Sequence, residues 1–142
     1  MGTRRKGREL ALQALYQVDL LGEQAGQGVD AFWEVCEGPA DAKSFGEELV
    51  RGVLSERARI DELIAGSSDN WRLGRLSHVD RNILRVATYE LLCRRDVPAS
   101  VAIDEAIEIA KRFGSDDSAT FVNGVLDHVA ETVGAKAPQR HA

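Results

Sequence analysis

Four cations stand among the first eight residues of the chain, and phosphate binding is the chemistry that such a group performs. This basic head consists of Arg4, Arg5, Lys6 and Arg8, and no acidic residue precedes Glu9. The rest of the chain is acidic, since removal of these four charges takes the net charge from −5 to −9. An acidic body repels RNA elsewhere, so the head would also determine where a strand lies. The alternative is a disordered solubilising tail, but the cluster runs directly into a helical pattern.

Two aromatic side chains are placed where they could contact bases. Arg5, Arg8 and Leu12 fall on one side of a predicted first helix, and Tyr16 follows one turn later. Three roles are open for the Tyr16 ring at this position: it stacks on a base, contacts a protein partner or packs at the rim of the core. Phe121 lies one position off an apolar stripe, near the start of the last predicted helix. Half-exposed aromatic rings at such places stack on unpaired bases.

The sequence shows no motif of a catalytic, cofactor or metal site. It has no phosphate-cradling P-loop, no GxGxxG after a strand and no HExxH. Cys36 and Cys93 are expected to be buried thiols rather than a disulfide or a metal pair. The histidines are scattered, and one acidic helix face is expected to be solvated: His78, His128 and His141; Asp104, Glu105 and Glu108. We therefore expect a protein that is not an enzyme and holds no cofactor or metal.

Helices must position these residues, because the apolar spacing is helical almost throughout and no segment alternates like a strand. The pattern predicts an all-α protein of about seven helices with short connections. Ser77 and Asp80 form a capping pattern at the start of a helix whose apolar residues cover more than one face, as in a central helix. The predicted segments in chain order are 4–21 (or 8–21), 29–36, 41–66, a short turn within 67–76, 77–95, 103–113 and 115–133.

A single globular domain is expected, since 142 residues with 44% hydrophobic and 29% charged side chains suit one core. Within it we expect an N-terminal helical half over about 1–66, a C-terminal half over about 67–134 and a frayed tail over 135–142. No apolar run approaches the ~20 residues of a membrane span. None follows the head in the way that a signal peptide requires, so a cytoplasmic protein without membrane contact is predicted.

Two residues inside the predicted helices need a packing explanation. Glu90 falls on the buried stripe of its helix, and we expect it to pair with Arg85 or Arg94 of the same helix. Gly124 interrupts the last helix at a cost of ~1 kcal/mol relative to alanine. We expect that Gly124 permits close contact with a neighbouring helix.

Three segments of the chain resemble the NusB family of bacterial transcription antitermination factors. The resemblance spans nearly the whole chain, and the longest segment is the most specific, whereas residues 22–42 carry little of it. It implies an all-helical fold of two packed bundles without enzymatic activity. The segments are RRKGRELALQALYQ, HVDRNILRVATYELL and DVPASVAIDEAIEIAKRFGSDDSATFVNGVLD.

The resemblance also implies binding to RNA and protein during transcription. Proteins of this family bind the single-stranded boxA element of nascent RNA together with the ribosomal protein NusE. The complex joins an elongating RNA polymerase with other Nus factors, chiefly on ribosomal RNA operons.

The family's functional positions map onto this chain residue by residue. The basic head (Arg4, Arg5, Lys6 and Arg8) would hold RNA phosphates. Asp117 and Phe121 match RNA-contacting positions at the start of the last helix, where a carboxylate accepts hydrogen bonds from base N–H groups. Tyr16 and Asp80 match positions on the face that meets NusE.

Gly7 departs from the family pattern, in which a helix-favouring residue such as alanine is common at this position. Glycine in a helix costs ~1 kcal/mol relative to alanine, so we expect the first turn of the helix to be loosened. The head would then be disordered until RNA binds, at the expense of affinity.

Two alternatives remain open at this point. The helical fold also resembles the N-terminal RNA-binding domain of ribosomal RNA cytosine methyltransferases, which hold S-adenosylmethionine in a separate α/β domain. In the second alternative, the chain is a self-associating helical protein without catalytic activity. Some NusB relatives form homodimers in which the RNA-binding surface is covered.

Overall fold

The computed structural model describes residues 2–21, 25–67 and 76–134. These ranges contain seven helices and no strand, which confirms the all-α prediction. No helix in the described ranges is long and apolar enough to span a membrane. The helices are α1 (Thr3–Leu21), α2 (Ala25–Val35), α3 (Ala40–Ser55), α4 (Arg57–Gly66), α5 (His78–Cys93), α6 (Ala99–Phe113) and α7 (Ser118–Thr132).

The helix boundaries follow the sequence signals most closely in α1 and α5, whereas α2 and α6 begin at Ala25 and Ala99, four residues before the predicted segments. The single helix predicted over 41–66 is divided into α3 and α4, because Glu56 leaves helical geometry at φ −104° and ψ 17°. The predicted cap of α5 is confirmed, since Ser77 Oγ accepts a hydrogen bond from the Asp80 backbone N–H at 3.0 Å. Most of the short turn expected within 67–76 and the tail over 135–142 lie outside the described residues.

The helix α5 lies at the centre of the fold, as its apolar pattern predicted. It packs against α1, α3, α4, α6 and α7, while α1 packs on α2 and α3, and α6 packs on α7. These contacts connect α1 and α3 to α4, α6 and α7 through α5. The division of the chain near residue 66 stays a prediction. The buried residues of α5 include four polar or charged side chains: Asn82, Arg85, Thr88 and Glu90.

Two glycines allow α1 to cross closely over α3. A Cβ atom at Gly7 would lie 2.8 Å from Phe45 Cδ2 and 2.9 Å from the Ala42 carbonyl oxygen. A Cβ atom at Gly46 would lie 2.9 Å from the Gly7 carbonyl oxygen. Contacts this short require residues without side chains. The expectation that Gly7 loosens the head is therefore wrong, because Gly7 is a packing residue and α1 is helical from Thr3.

Two expectations about small side chains are also wrong. Gly124 is exposed, and a Cβ atom added there would meet no heavy atom within 4 Å, so it makes no close helix contact. Cys93 is exposed and Cys36 is half-buried, and both are free thiols. The helical spacing correctly placed Gly124 and Cys93 on helices, whereas Cys36 lies just after the end of α2. The spacing could not show which neighbour faces these residues.

Candidate nucleic-acid interface

The basic head forms the first two turns of α1, and its arginines differ sharply in exposure. The exposed fraction of the side chain is 49% for Arg4, 32% for Arg5 and 4% for Arg8. Each of the three is paired with a carboxylate of α5, of α6 or of the loop between them. The head is therefore held in place by the fold before any ligand binds.

Arg8 is the buried end of the head. Its Nε donates to Glu90 Oε1 at 2.9 Å and its Nη2 donates to Glu90 Oε2 at 2.7 Å. The expected partners of Glu90, Arg85 and Arg94, are thus wrong, because α1 supplies the guanidinium from across the helix interface. A phosphate cannot reach Arg8 without breaking this buried pair. The structure therefore places Arg8, predicted to hold a phosphate, where it anchors α1 to α5.

Arg5 is bound to α6 by a second bidentate pair. Its Nε and Nη2 donate to the two carboxylate oxygens of Glu105 at 2.8 and 2.7 Å. These hydrogen bonds hold the pKa of Glu105 below its ordinary value, although partial burial opposes the shift. The expectation that Glu105 is solvated is wrong, since only 17% of its side chain is exposed. The outer third of Arg5 still faces solvent.

Arg4 and Lys6 are the two remaining cations of the head. Arg4 Nη2 donates to Asp96 Oδ2 at 3.0 Å, and its guanidinium lies 5.1 Å from the centre of the Phe45 ring. Hydrogen bonds from Arg94 and then Arg4 hold the pKa of Asp96 far below its ordinary value. Lys6 has no ion pair among the residues that the structure describes, and it is half-buried.

Two grooves meet at Arg5 and extend the basic surface. One runs between the head and the start of α6, and the other runs along α1 to the end of α6. Because Arg5 lines both, the two grooves adjoin at its side chain. The first is lined by Gly2, Arg4, Arg5, Arg8, Val97, Pro98, Val101 and Glu105, and the second by Arg5, Glu9, Glu108, Ile109, Lys111 and Arg112.

The end of α6 carries two cations that the sequence analysis did not single out. Lys111 and Arg112 each expose 61% of their side chains, more than any arginine of the head. Arg112 Nη1 donates to Glu9 Oε2 at 3.0 Å and thereby ties the end of α6 to α1. A basic pair in the last turn of a predicted helix was the available signal, but such pairs also complement the helix dipole.

The two predicted RNA-contacting residues of α7 lie together. Asp117 is the N-cap residue of α7, is exposed and makes no side-chain capping hydrogen bond. Its carbonyl oxygen accepts a hydrogen bond from the Phe121 backbone N–H at 3.1 Å, so the two residues are one turn apart. Phe121 is half-buried and packs against the core. The loop at 114–117 connects this site directly to the end of α6.

The two residues predicted to face a protein partner, Tyr16 and Asp80, lie on α1 and at the start of α5. Tyr16 is 39% exposed, and its ring meets the His78 ring edge to face with centroids 5.7 Å apart. Asp80 lies in the first turn of α5, next to His78 in the helix. Its Oδ1 atom is buried and has no hydrogen-bond partner within the described residues. The structure therefore brings Tyr16 to the end of α5 that carries Asp80.

Beneath this surface lies a buried carboxylate that sequence reasoning missed. The side chain of Asp19 is 3% exposed, and it accepts hydrogen bonds from His78 Nδ1 at 3.1 Å and Asn82 Nδ2 at 2.9 Å. Arg85 and Arg81 add charged hydrogen bonds at 3.1 and 3.3 Å. Burial alone would raise the pKa of Asp19, but these hydrogen bonds and charges outweigh it and lower that pKa. The carboxylate thus fixes the start of α5 against α1.

Comparison with known proteins identifies relatives of the whole chain. The NusB family model matches residues 5–131. The transcription antitermination protein NusB of Geobacter sulfurreducens is 51% identical over 134 residues, which cover 94% of this chain and 97% of the relative. That of Sorangium cellulosum is 47% identical over 134 residues, with 94% and 96% covered.

Two solved structures share the fold over nearly the full length. NusB of T. maritima superposes with a TM-score of 0.85 at 39% sequence identity, with 98% of this chain and 97% of that chain covered. A structure described as antitermination factors NusB and NusE in complex with dsRNA gives a TM-score of 0.79 at 26% identity, with 93% and 98% covered.

Proposed function

The chain belongs to the NusB family, and from that premise we propose that it is a transcription antitermination factor. It binds boxA-type single-stranded RNA of nascent ribosomal RNA transcripts together with the ribosomal protein NusE. The names of the curated relatives support the role in antitermination. The relative solved with NusE and dsRNA supports the two kinds of partner. The protein acts by binding and not by catalysis, as a member of an elongation complex with RNA polymerase and other Nus factors.

The observation that carries the RNA-binding proposal is the position of Arg5 where two grooves meet. Arg4, Lys6 and the exposed part of Arg5 hold phosphates at one end of the path. Asp117 and Phe121 meet bases at the other end, beyond the end of α6. Arg8 supports this surface from within through its buried pair with Glu90.

The surface around Tyr16 and Asp80 is proposed to bind NusE. An exposed aromatic ring supplies contact area for a partner. The Asp80 carboxylate adds negative charge in the first turn of α5. The acidic body of the chain also favours a partner with a basic surface, as ribosomal proteins usually have.

A titration with two RNAs tests the proposal. A boxA-like strand and a scrambled strand of equal composition are titrated with the protein, with and without NusE, and binding is followed by fluorescence anisotropy. We expect the boxA-like strand to bind more tightly, and NusE to increase the difference. Equal binding of both strands under every condition would reject sequence-specific recognition.

A further inference from the structure

The last turn of α6 presents an aromatic ring to solvent beside an exposed guanidinium. Phe113 is 39% exposed, whereas Phe32 and Phe45 are 7% and 6% exposed and belong to the core. The guanidinium carbon of Arg112 lies 5.3 Å from the centre of the Phe113 ring. The pair therefore offers a flat surface of aromatic and cationic character, which is the type that unpaired bases stack on.

The pair lies on the path between the two proposed RNA-contacting regions. Toward the head, Arg112 lines the same groove as Arg5. Toward α7, only residues 114–116 separate Phe113 from Asp117. A strand that leaves the head along this groove and reaches the start of α7 must pass the end of α6.

The charge around the pair suits a polyanion. The groove beside it is lined by three cations and two carboxylates, and the side chains of Lys111 and Arg112 are each 61% exposed. Arg112 is tethered by one hydrogen bond to Glu9, so its guanidinium is oriented while its other N–H groups remain available to a ligand. Neutralisation of the α6 dipole accounts for the cations, but it does not account for the exposed ring.

We propose that Arg112 and Phe113 form a nucleotide-stacking site for single-stranded RNA between the head and the start of α7. The inference rests on the proposed RNA-binding function and adds a contact to the same path. Every base has a flat face, so a stacking site adds affinity without selecting a sequence. The site should therefore strengthen binding of boxA-like and unrelated single strands by the same factor.

Substitution of each residue tests the site in the full-length protein. Phe113→Leu keeps an apolar side chain but removes the ring, and we expect it to weaken binding of both boxA-like and scrambled strands by about tenfold. Arg112→Gln should weaken binding by about fivefold and reduce the salt slope by about 0.7. The matched controls are Leu54→Ala and Arg51→Gln, which line a different groove between α2 and α3 and should leave RNA affinity unchanged.

A spectroscopic measurement reports stacking directly. A strand with one 2-aminopurine is scanned through successive positions, and at one position its fluorescence should change on binding to the unmodified protein and not on binding to Phe113→Leu. Undiminished affinity of Phe113→Leu for both strands, with circular dichroism equal to that of the unmodified protein, would overturn the stacking site alone. Failure of the unmodified protein to bind any RNA would refute the proposed function as well.

Discussion

Arg8 and Glu90 form a buried bidentate ion pair across 82 positions of sequence, with hydrogen bonds of 2.9 and 2.7 Å. Their side chains are 4% and 1% exposed, so water cannot solvate either charge when its partner is removed. The pair joins the basic head of α1 to the central helix α5. The same run of cations thus supplies a structural anchor at its inner end and ligand-binding charge at its outer end.

Removal of one partner of this pair should destabilise the fold strongly. Glu90→Leu removes the bidentate partner of the buried Arg8 guanidinium and leaves only the Glu105 carboxylate, 3.9 Å away and already bound to Arg5. We expect the free energy of unfolding in urea to fall by about 3 kcal/mol. The double variant Arg8→Met with Glu90→Leu should recover most of this loss, because an apolar pair carries no desolvation cost.

The half-exposed pair of Arg4 and Asp96 provides the matched control for that measurement. Arg4→Ala should change the unfolding free energy by less than about 1 kcal/mol, since solvent screens an exposed pair. Equal stability of Glu90→Leu and Arg4→Ala would show that the buried pair does not hold the helices together.

The glycines of α1 and α7 should respond to alanine in opposite directions. Gly7→Ala places a methyl group 2.8 Å from Phe45 Cδ2 and should destabilise the protein by about 1–3 kcal/mol, because α1 and α3 must move apart. Gly124→Ala meets open space in a helix and should stabilise it by about 0.5–1 kcal/mol. Urea unfolding of both variants measures the difference, and a stabilised Gly7→Ala variant would contradict the close crossing of the helices.

These two glycines show what could be predicted from the sequence and what could not. The period of the apolar residues predicted the all-α class and the central helix, and the Ser77 and Asp80 pattern predicted the cap. Each of these features depends on spacing within one segment. The roles of Gly7 and Gly124 depend on which helix lies opposite, and both expectations drawn from the sequence are therefore wrong. The partner of Glu90 was missed for the same reason, since it lies on another helix.

The residues of the candidate site also divide into those that could be predicted from the sequence and those that could not. The resemblance and the charge pattern selected the head, Asp117 and Phe121, and the structure places the last two one turn apart. The burial of Arg8 and the exposure of Phe113 were not predictable, because both depend on how α1 and α6 pack. The network around Asp19 was also missed, since its donors come from a helix about 60 positions away.

Acid should weaken the protein through Asp19. The folded-state pKa of Asp19 lies below its ordinary value of 3.8, so its contribution to stability is present above that value and is lost as the pH falls through the folded-state pKa. Asp19→Asn should lower the unfolding free energy by about 3 kcal/mol at neutral pH, because it weakens the buried network. The difference between the unfolding free energies of this variant and the unmodified protein should narrow as the pH falls below about 4, toward the lowered folded-state pKa of Asp19. A difference that stays constant over this range would contradict the lowered pKa.

The surface around Tyr16 should be needed for the protein partner and not for RNA. We expect Tyr16→Ala to weaken NusE binding by about 30-fold, as for an exposed aromatic residue at the centre of an interface. Asp80→Asn should weaken it less, because the amide retains an acceptor oxygen. Isothermal titration with NusE and a separate RNA titration measure the two effects. A loss of RNA affinity in Tyr16→Ala without NusE present would place this residue on the RNA path instead.

The salt dependence of RNA binding tests the central claim most directly. The affinity for a short single strand is measured over a series of salt concentrations, for the unmodified protein and for the triple variant Arg4→Ala, Arg5→Ala and Lys6→Ala, which retains the buried Arg8. We expect a slope of log affinity against log salt no steeper than roughly −3 for the unmodified protein, and a slope lower in magnitude by about 2 for the variant. An unchanged affinity and slope in the triple variant would remove the basic head from RNA binding.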